Sequence, residues 1–254
     1  MAQWALVTGA TAGIGESFTR LLASKGYNIA LVARDEARLH ERAAGLREKY
    51  GIQTFVLPAD LATKSGVKSV EKYIQSYEIE VLINNAGFGI NKAFTASSLG
   101  DEQDLLNVLV RAPMRLMHVI LPGMKERKSG TIINVSSVAG FIAGGTYSAA
   151  KSYLTVLSES LNTELKDTGV IVSALCPGFT RTEFHQRGRM KMKGLPSFMW
   201  LNADKLVAQS WKDARANKPV SIPGWQYKLL IAIVSIAPRS FVRHIGMNVR
   251  KKQR

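Results

Sequence analysis

Cysteine is scarce in this 254-residue chain: Cys176 is the one present, so no internal disulfide can form. Histidine is almost as rare, and His40, His118, His185 and His244 are too scattered to supply the clustered ligands of a Cys/His centre, so no metal is expected. The apolar run Leu229–Ala237, broken by Ser235, falls well short of the ~20 residues that span a bilayer. The first residues, Met1 to Val7, lack the basic region of a secretory leader and run straight into glycine-rich sequence, which predicts a first strand and a cytoplasmic protein. Acidic residues are missing altogether from 214 to 254, a segment with nine Lys/Arg, so much of the net charge of +15 is gathered there. Such a tail suits an anionic cofactor or substrate, an anionic membrane surface, or nucleic acid. No RNA- or DNA-reading motif accompanies the charge, which puts nucleic acid last.

With 46% hydrophobic residues, the chain can bury a sizeable core without covalent staples. Seven short apolar, β-rich runs recur along it: Ala5–Thr8, Asn28–Ala33, Gln53–Pro58, Val81–Asn84, Gly130–Ser136, Val170–Cys176 and Pro219–Ile222. Helical segments separate them, such as Gly15 to Leu22 with Phe18, Leu21 and Leu22 on one face. The alternation predicts an α/β fold of the Rossmann type, doubly wound, with a seven-stranded, mostly parallel sheet and helices on both faces. Without repeats or linkers, residues 1–254 read as one domain. It carries an insertion at 178–202 and a basic tail at 238–254.

The insertion mixes Arg187, Arg189, Lys191 and Lys193 with Phe179, Phe184, Met190, Met192, Phe198, Met199 and Trp200. It reads either as a binding loop for a large apolar ligand with an anionic head or as a lid packing on itself.

Between the first strand and first helix lies Thr8-Gly9-Ala10-Thr11-Ala12-Gly13-Ile14-Gly15. Glycines there allow a tight turn and close approach to a pyrophosphate, and the helix start offers free N–H groups. The second strand ends Val32-Ala33-Arg34-Asp35, with no acid at Ala33 to hold an adenosine 2′-hydroxyl. Arg34 can pair instead with a 2′-phosphate, which favours NADP(H) over NAD(H), although the turn alone admits both. Arg34 also reads as a solvated helix-start residue, and Asp35 as an N-cap. Asp60-Leu61 after the third strand is placed to accept an adenine amino group, and Asn84-Asn85-Ala86-Gly87 closes the fourth with room for a ribose.

Tyr147-Ser148-Ala149-Ala150-Lys151 sets a phenol and an ammonium one helical turn apart. The cation is expected to draw the tyrosine pKa down toward the range of a working acid/base. Ser136-Ser137 ends the fifth strand, where a hydroxyl can donate to a substrate carbonyl or simply cap the strand. Asn107, a polar residue in an apolar helix, is either a structural hydrogen bonder or part of a polar relay.

In this order the motifs resemble those of the short-chain dehydrogenase/reductase family over nearly the whole chain: Thr8–Gly15, Asp60, Asn84–Gly87, Asn107, Ser137, Tyr147/Lys151 and Pro177-Gly178-Phe179-Thr180-Arg181-Thr182. The resemblance implies that Tyr147 is the catalytic acid/base and that Ser137 orients and polarises the carbonyl. Lys151 would bind the nicotinamide ribose and lower the tyrosine pKa, with Asn107 holding a water that links it to solvent. The stretch from Pro177 to Thr182 would cover the nicotinamide, Thr180 and Thr182 lying near its carboxamide and the phosphates. A homodimer or homotetramer is also implied. One departure stands out: the interval from Ser137 to Tyr147 is shorter than family members commonly have, and it is rich in glycine.

The expected activity is hydride exchange between NADP(H) and a carbonyl/alcohol pair, with an apolar, acyl- or steroid-like substrate. A peripheral membrane or interaction protein using the same fold as a scaffold is the second reading. It rests on Leu229–Ala237 with Arg239, Arg243, Arg250, Lys251, Lys252 and Arg254.

Overall fold

The computed structural model describes residues 3–184, 195–238, 240, 242 and 243. In chain order the elements are β1 Trp4–Thr8, α1 Gly13–Ala23, β2 Asn28–Ala33, α2 Glu36–Tyr50, β3 Thr54–Pro58, α3 Lys64–Ser76, β4 Ile79–Asn84, α4 Leu99–Leu106, α5 Ala112–Glu126, β5 Gly130–Val135, α6 Thr146–Glu164, β6 Val170–Leu175, α7 Ala203–Arg215, β7 Val220–Ser221 and α8 Trp225–Ile236. Every sequence-predicted strand is present, with ends moved by one or two residues. The last is the shortest. Pro219 has no N–H to give the ladder, although its carbonyl still accepts from Ala174 N at 2.8 Å.

The strands form one sheet in the order β3-β2-β1-β4-β5-β6-β7, and each neighbouring pair is parallel. Side chains alternate across a strand, so a strand covered on both sides must be apolar throughout. β1 shows this directly. Leu6 joins the core formed with α3, α5 and α6, whereas Ala5 and Val7 join the opposite core with Phe18 and Leu22 of α1, Leu39 of α2 and Leu206 of α7. Each fully buried leucine or phenylalanine contributes about 1.5–3 kcal/mol, so these two layers hold the strand ends in fixed register.

The sheet reverses its winding between β1 and β4, which opens a crevice at the carboxyl ends of those strands. The Gly-rich turn, Arg34, Asp60, Asn85, Ser137 and Pro177 all follow strand ends on this edge. The continuous helical stretch Leu99–Glu126 is long and apolar enough to cross a membrane by composition alone. It carries Leu105, Leu109, Leu116 and Ile120 into the core, as a central helix of this fold does.

Candidate active site

The first wall of the crevice is built by the Gly-rich turn. Gly9 and Gly13 adopt φ of 67° and 59°, and a Cβ on Gly15 would stand 2.2 Å from the Gly9 carbonyl oxygen. Only glycine lets the turn fold back on α1 so tightly. Thr8, Thr11, Ala12 and Ile14 complete the segment. α1 starts from Ala12 without a side-chain cap, whereas Asp35, Thr63, Ser98 and Asn202 cap α2, α3, α4 and α7. Its first-turn N–H groups therefore remain for an anion, and a pyrophosphate fits.

Thr8 at the end of β1 and Asn85 just after β4 brace this turn. Thr8 Oγ1 accepts from Asn85 N at 2.9 Å and Ala86 N at 3.0 Å, while Asn85 Nδ2 donates to the Thr8 and Gly9 carbonyls at 2.9 and 3.2 Å. The Asn85 amide thus shapes the turn itself. Asn84 points into the core and donates to Asn134, which in turn reaches Ser158 at 2.8 Å. Asp60 Oδ1 accepts from Ala62 N, and the Leu61 side chain is buried.

Arg34 is exposed directly after β2. Asp35 caps α2 through Arg38 N at 3.1 Å, so it is a helix cap and Arg34 is free to meet a phosphate. Arg38, one turn on, forks onto Glu183 with bonds of 2.9 and 3.1 Å. That pair ties α2 to the segment after Thr182, whose Cβ would lie 2.9 Å from a Cβ on Gly13. Thr182 is therefore brought to the phosphate turn. Thr180 is buried and gives its hydroxyl to the Gly178 carbonyl at 3.0 Å. Pro177 O accepts from Val138 N at 3.1 Å, joining this segment to the residue after Ser137.

The shortened approach to Tyr147 closes without loss of geometry. Ser137 starts a 3-10 turn, Val138–Phe141, by accepting from Ala139 N, and Gly145 at φ 83° leads directly into α6. The Ser137 hydroxyl acts on the Tyr147 phenol and draws its pKa down. Ser136 is spent inside the fold, bonded at 2.7 Å to the Lys151 carbonyl and to Thr155. Lys151 is 4% exposed, its ammonium donating to the Val135 carbonyl at 2.6 Å and lying 5.7 Å from the Tyr147 ring centre.

Burial dominates both titrations. It pushes Tyr147 up to about 12, more than offsetting the Ser137 hydrogen bond, and pushes Lys151 down to about 8. The expected lowering of the phenol pKa by the lysine is thus reversed in the protein alone, because desolvation penalises the phenolate more. Phe184 adds to the cover, its ring 6.1 Å from that of Tyr147.

Beside Lys151 lies a narrow recess, with room for about one water, walled by residues that include Thr8, Asn84, Ala86, Val108, Leu109 and Val135. Asn107 stands next to that wall, at the start of the turn that supplies two of its residues. A π-helical turn, Asn107–Arg111, joins α4 to α5, and the Asn107 carbonyl accepts from Ala112 N. Pro113 has no N–H to bond the carbonyl one turn back, and the helix widens at this point. Val108 and Leu109 then face the recess, while Asn107 stays partly exposed. Gly87 touches the same place: a Cβ on it would lie 2.8 Å from Leu109 and 3.9 Å from the lysine Nζ.

The insertion is closed at its base. Leu201 N donates to Phe179 O at 2.8 Å and Arg181 N to Leu201 O at 3.1 Å, with Arg181 over the Trp200 ring at 5.6 Å. Tyr227 of α8 fills the space under Gly178, accepts from Phe179 N at 2.9 Å and donates to Met199 O. Arg187, Arg189, Met190, Lys191, Met192 and Lys193 lie outside the described residues, as do Arg239, Arg250, Lys251, Lys252 and Arg254. Sequence reasoning missed Thr8 as the organiser of the turn, the Arg38–Glu183 fork and the place of Leu109. Of these, only Thr8, a lone hydroxyl at the end of an apolar strand, leaves a local signal.

A sequence model described as short chain dehydrogenase matches residues 3–193. The chain is 37% identical over 179 residues to a very-long-chain 3-oxoacyl-CoA reductase of Laccaria bicolor, a match covering 68% of this chain and 53% of that protein. It is 34% identical to a human inactive hydroxysteroid dehydrogenase-like protein 1, over 71% of this chain and 56% of that one. A solved short-chain dehydrogenase from Sphingobium yanoikuyae in complex with NADPH superposes with a TM-score of 0.84 at 30% identity, covering 93% of this chain and 96% of that one. The matched segment thus spans little more than half of the two curated relatives but nearly all of the solved enzyme.

Proposed function

The chain belongs to the short chain dehydrogenase family, and from that premise we propose that it is an NADP(H)-dependent reductase of apolar, acyl- or steroid-like carbonyl compounds. The observation that carries the reading is the buried Lys151 ammonium 5.7 Å from the Tyr147 ring centre, on the edge where Ser137 follows β5.

The residues fit a dinucleotide along the crevice. Gly9, Thr11, Ala12, Gly13, Ile14, Gly15 and Thr182 would hold the pyrophosphate, and Arg34 a 2′-phosphate. Asp60, Leu61, Asn85, Ala86 and Gly87 would surround the adenosine and ribose parts, and Pro177, Gly178 and Thr180 the nicotinamide side. When bound, the nicotinamide supplies or accepts a hydride.

The protein's part is to hold the carbonyl and manage its proton. Ser137 Oγ–H donates to the carbonyl oxygen and stabilises the charge that builds there, and Tyr147 Oη–H gives that oxygen its proton. The Lys151 ammonium stabilises the phenolate left behind.

The apolar substrate class is supported by Phe179, Phe184, Phe198, Met199 and Trp200 around the insertion's base and by the kinship with a 3-oxoacyl-CoA reductase. A homodimer or homotetramer is supported by exposed Leu106, Met114, Tyr153 and Val156 on the neighbouring helices α4, α5 and α6. A scaffold without turnover is favoured by the inactive human relative.

The test is NADPH oxidation against a long-chain 3-oxoacyl thioester, a steroid ketone and a short ketone. The bulky substrates should be consumed, and the short one much more slowly. Saturable NADPH binding without oxidation by any of them would support the scaffold instead.

A further inference from the structure

Helix α8 is apolar on both sides. Tyr227, Ile231 and Val234 are buried against the protein, whereas Trp225, Leu229, Ile233 and Ile236 are 71%, 55%, 46% and 87% exposed. These four recur at helical spacing and form one stripe about 16 Å long. Phe198, 60% exposed, continues it, since Gln226 Nε2 donates to the Phe198 carbonyl at 3.0 Å. A contiguous apolar strip of this kind marks a contact surface.

Charge indicates what covers it. From 214 to 254 the sequence has nine Lys/Arg and no acid, and Lys228 is exposed on α8 itself. A second copy seated here about a two-fold axis would bring two acid-free basic segments together, at a like-charge cost. An anionic bilayer answers both features, because it offers an apolar layer for the stripe and negative headgroups for Lys228 and the acid-free basic sequence it belongs to. At 12 residues the helix is too short to span the membrane, so it would lie in the interface.

We propose that α8 docks this protein on anionic lipid bilayers through the Trp225, Leu229, Ile233 and Ile236 stripe. The consequence for the site follows from the helix's inner face. Tyr227 holds the base of the insertion at Phe179 and Met199, and α8 packs against the Val138–Phe141 turn that follows Ser137. Docking therefore brings the mouth of the crevice to the membrane surface, where an apolar substrate resides. That last step rests on the proposed substrate class, whereas the docking itself does not.

The experiment is flotation of the full chain with phosphatidylcholine vesicles, with and without phosphatidylserine, for the wild type and for the double variant Leu229→Glu/Ile233→Glu. The wild type should float with the anionic vesicles, and the variant should lose about tenfold or more in apparent affinity. NADPH binding should be unchanged in the variant, since both side chains are exposed. Equal flotation of the two proteins, or no flotation of the wild type, would overturn the proposal. So would sedimentation showing a wild-type dimer that the double variant converts to monomer, which would assign the stripe to a second copy. Docking without turnover on any ketone would sink only the proposed activity, and turnover without docking only this inference.

Discussion

The two ends of the crevice are built on different principles. At the cofactor end, backbone atoms make the site: Gly15 has no room for a Cβ beneath the Gly9 carbonyl, and Asn85 and Thr8 spend their polar groups holding the turn. At the substrate end, side chains make it: Tyr227 fills the space under Gly178, Arg181 covers Trp200, and Phe184 approaches Tyr147. A site of backbone tolerates almost no substitution, because nothing can move aside. One of side chains can be repacked for a different ligand while the fold persists. The comparison accounts for a fold that superposes on an NADPH-bound enzyme at 30% identity and a substrate end that sequence leaves open.

The comparison can be broken by substitution. The largest effect is expected at Gly15→Ala, whose Cβ would meet the Gly9 oxygen at 2.2 Å and Asn85 Nδ2 at 2.4 Å. NADPH affinity by fluorescence titration should drop by about a hundredfold or more, or the chain should fail to fold. Near-normal affinity would mean that the turn is softer than described. Arg34→Ala should weaken NADPH by about ten- to a hundredfold, the worth of a charge-assisted hydrogen bond, and leave NADH almost untouched. Equal losses for both cofactors would remove the 2′-phosphate from its role.

The smallest effect concerns stability. Lys151 is lowered from 10.5 to about 8 by burial, so keeping it charged at neutral pH costs about 3 kcal/mol. Lys151→Met relieves that cost but leaves the Val135 carbonyl without its donor, so a net gain of about 1 kcal/mol is expected in urea unfolding at pH 7. The sign with pH follows. Between about 8 and 10 the folded wild type has released a proton that the unfolded chain still binds, so its stability rises with pH, and the variant should lose that slope. Tyr147, raised rather than lowered, opposes this only above pH 10.

Much of the fold was legible because doubly covered strands must be apolar throughout, and the glycines and strand-end polar residues marked the carboxyl edge. Tyr147, Lys151 and Ser137 stand out in the sequence as ordered motifs, and the short glycine-rich approach enters α6 through Gly145 at a positive φ. What escaped depends on three-dimensional register. The π turn that starts at Asn107, beside Pro113, sets Leu109 toward the recess, a register that no periodic pattern encodes. Arg38 and Glu183 are 145 positions apart, beyond any periodic pattern. The pKa directions also depend on depth of burial, which a spacing of four residues does not encode.

The central claim is that Tyr147 moves the proton in a site whose cofactor end does not need it. The direct measurement is Tyr147→Phe, followed by NADPH titration and by single-turnover transfer of deuteride from labelled NADPH to a bulky ketone. The account predicts NADPH affinity within about twofold of wild type and transfer slowed by about 10²–10⁴-fold. Transfer at the wild-type rate, with the cofactor still bound, would contradict it.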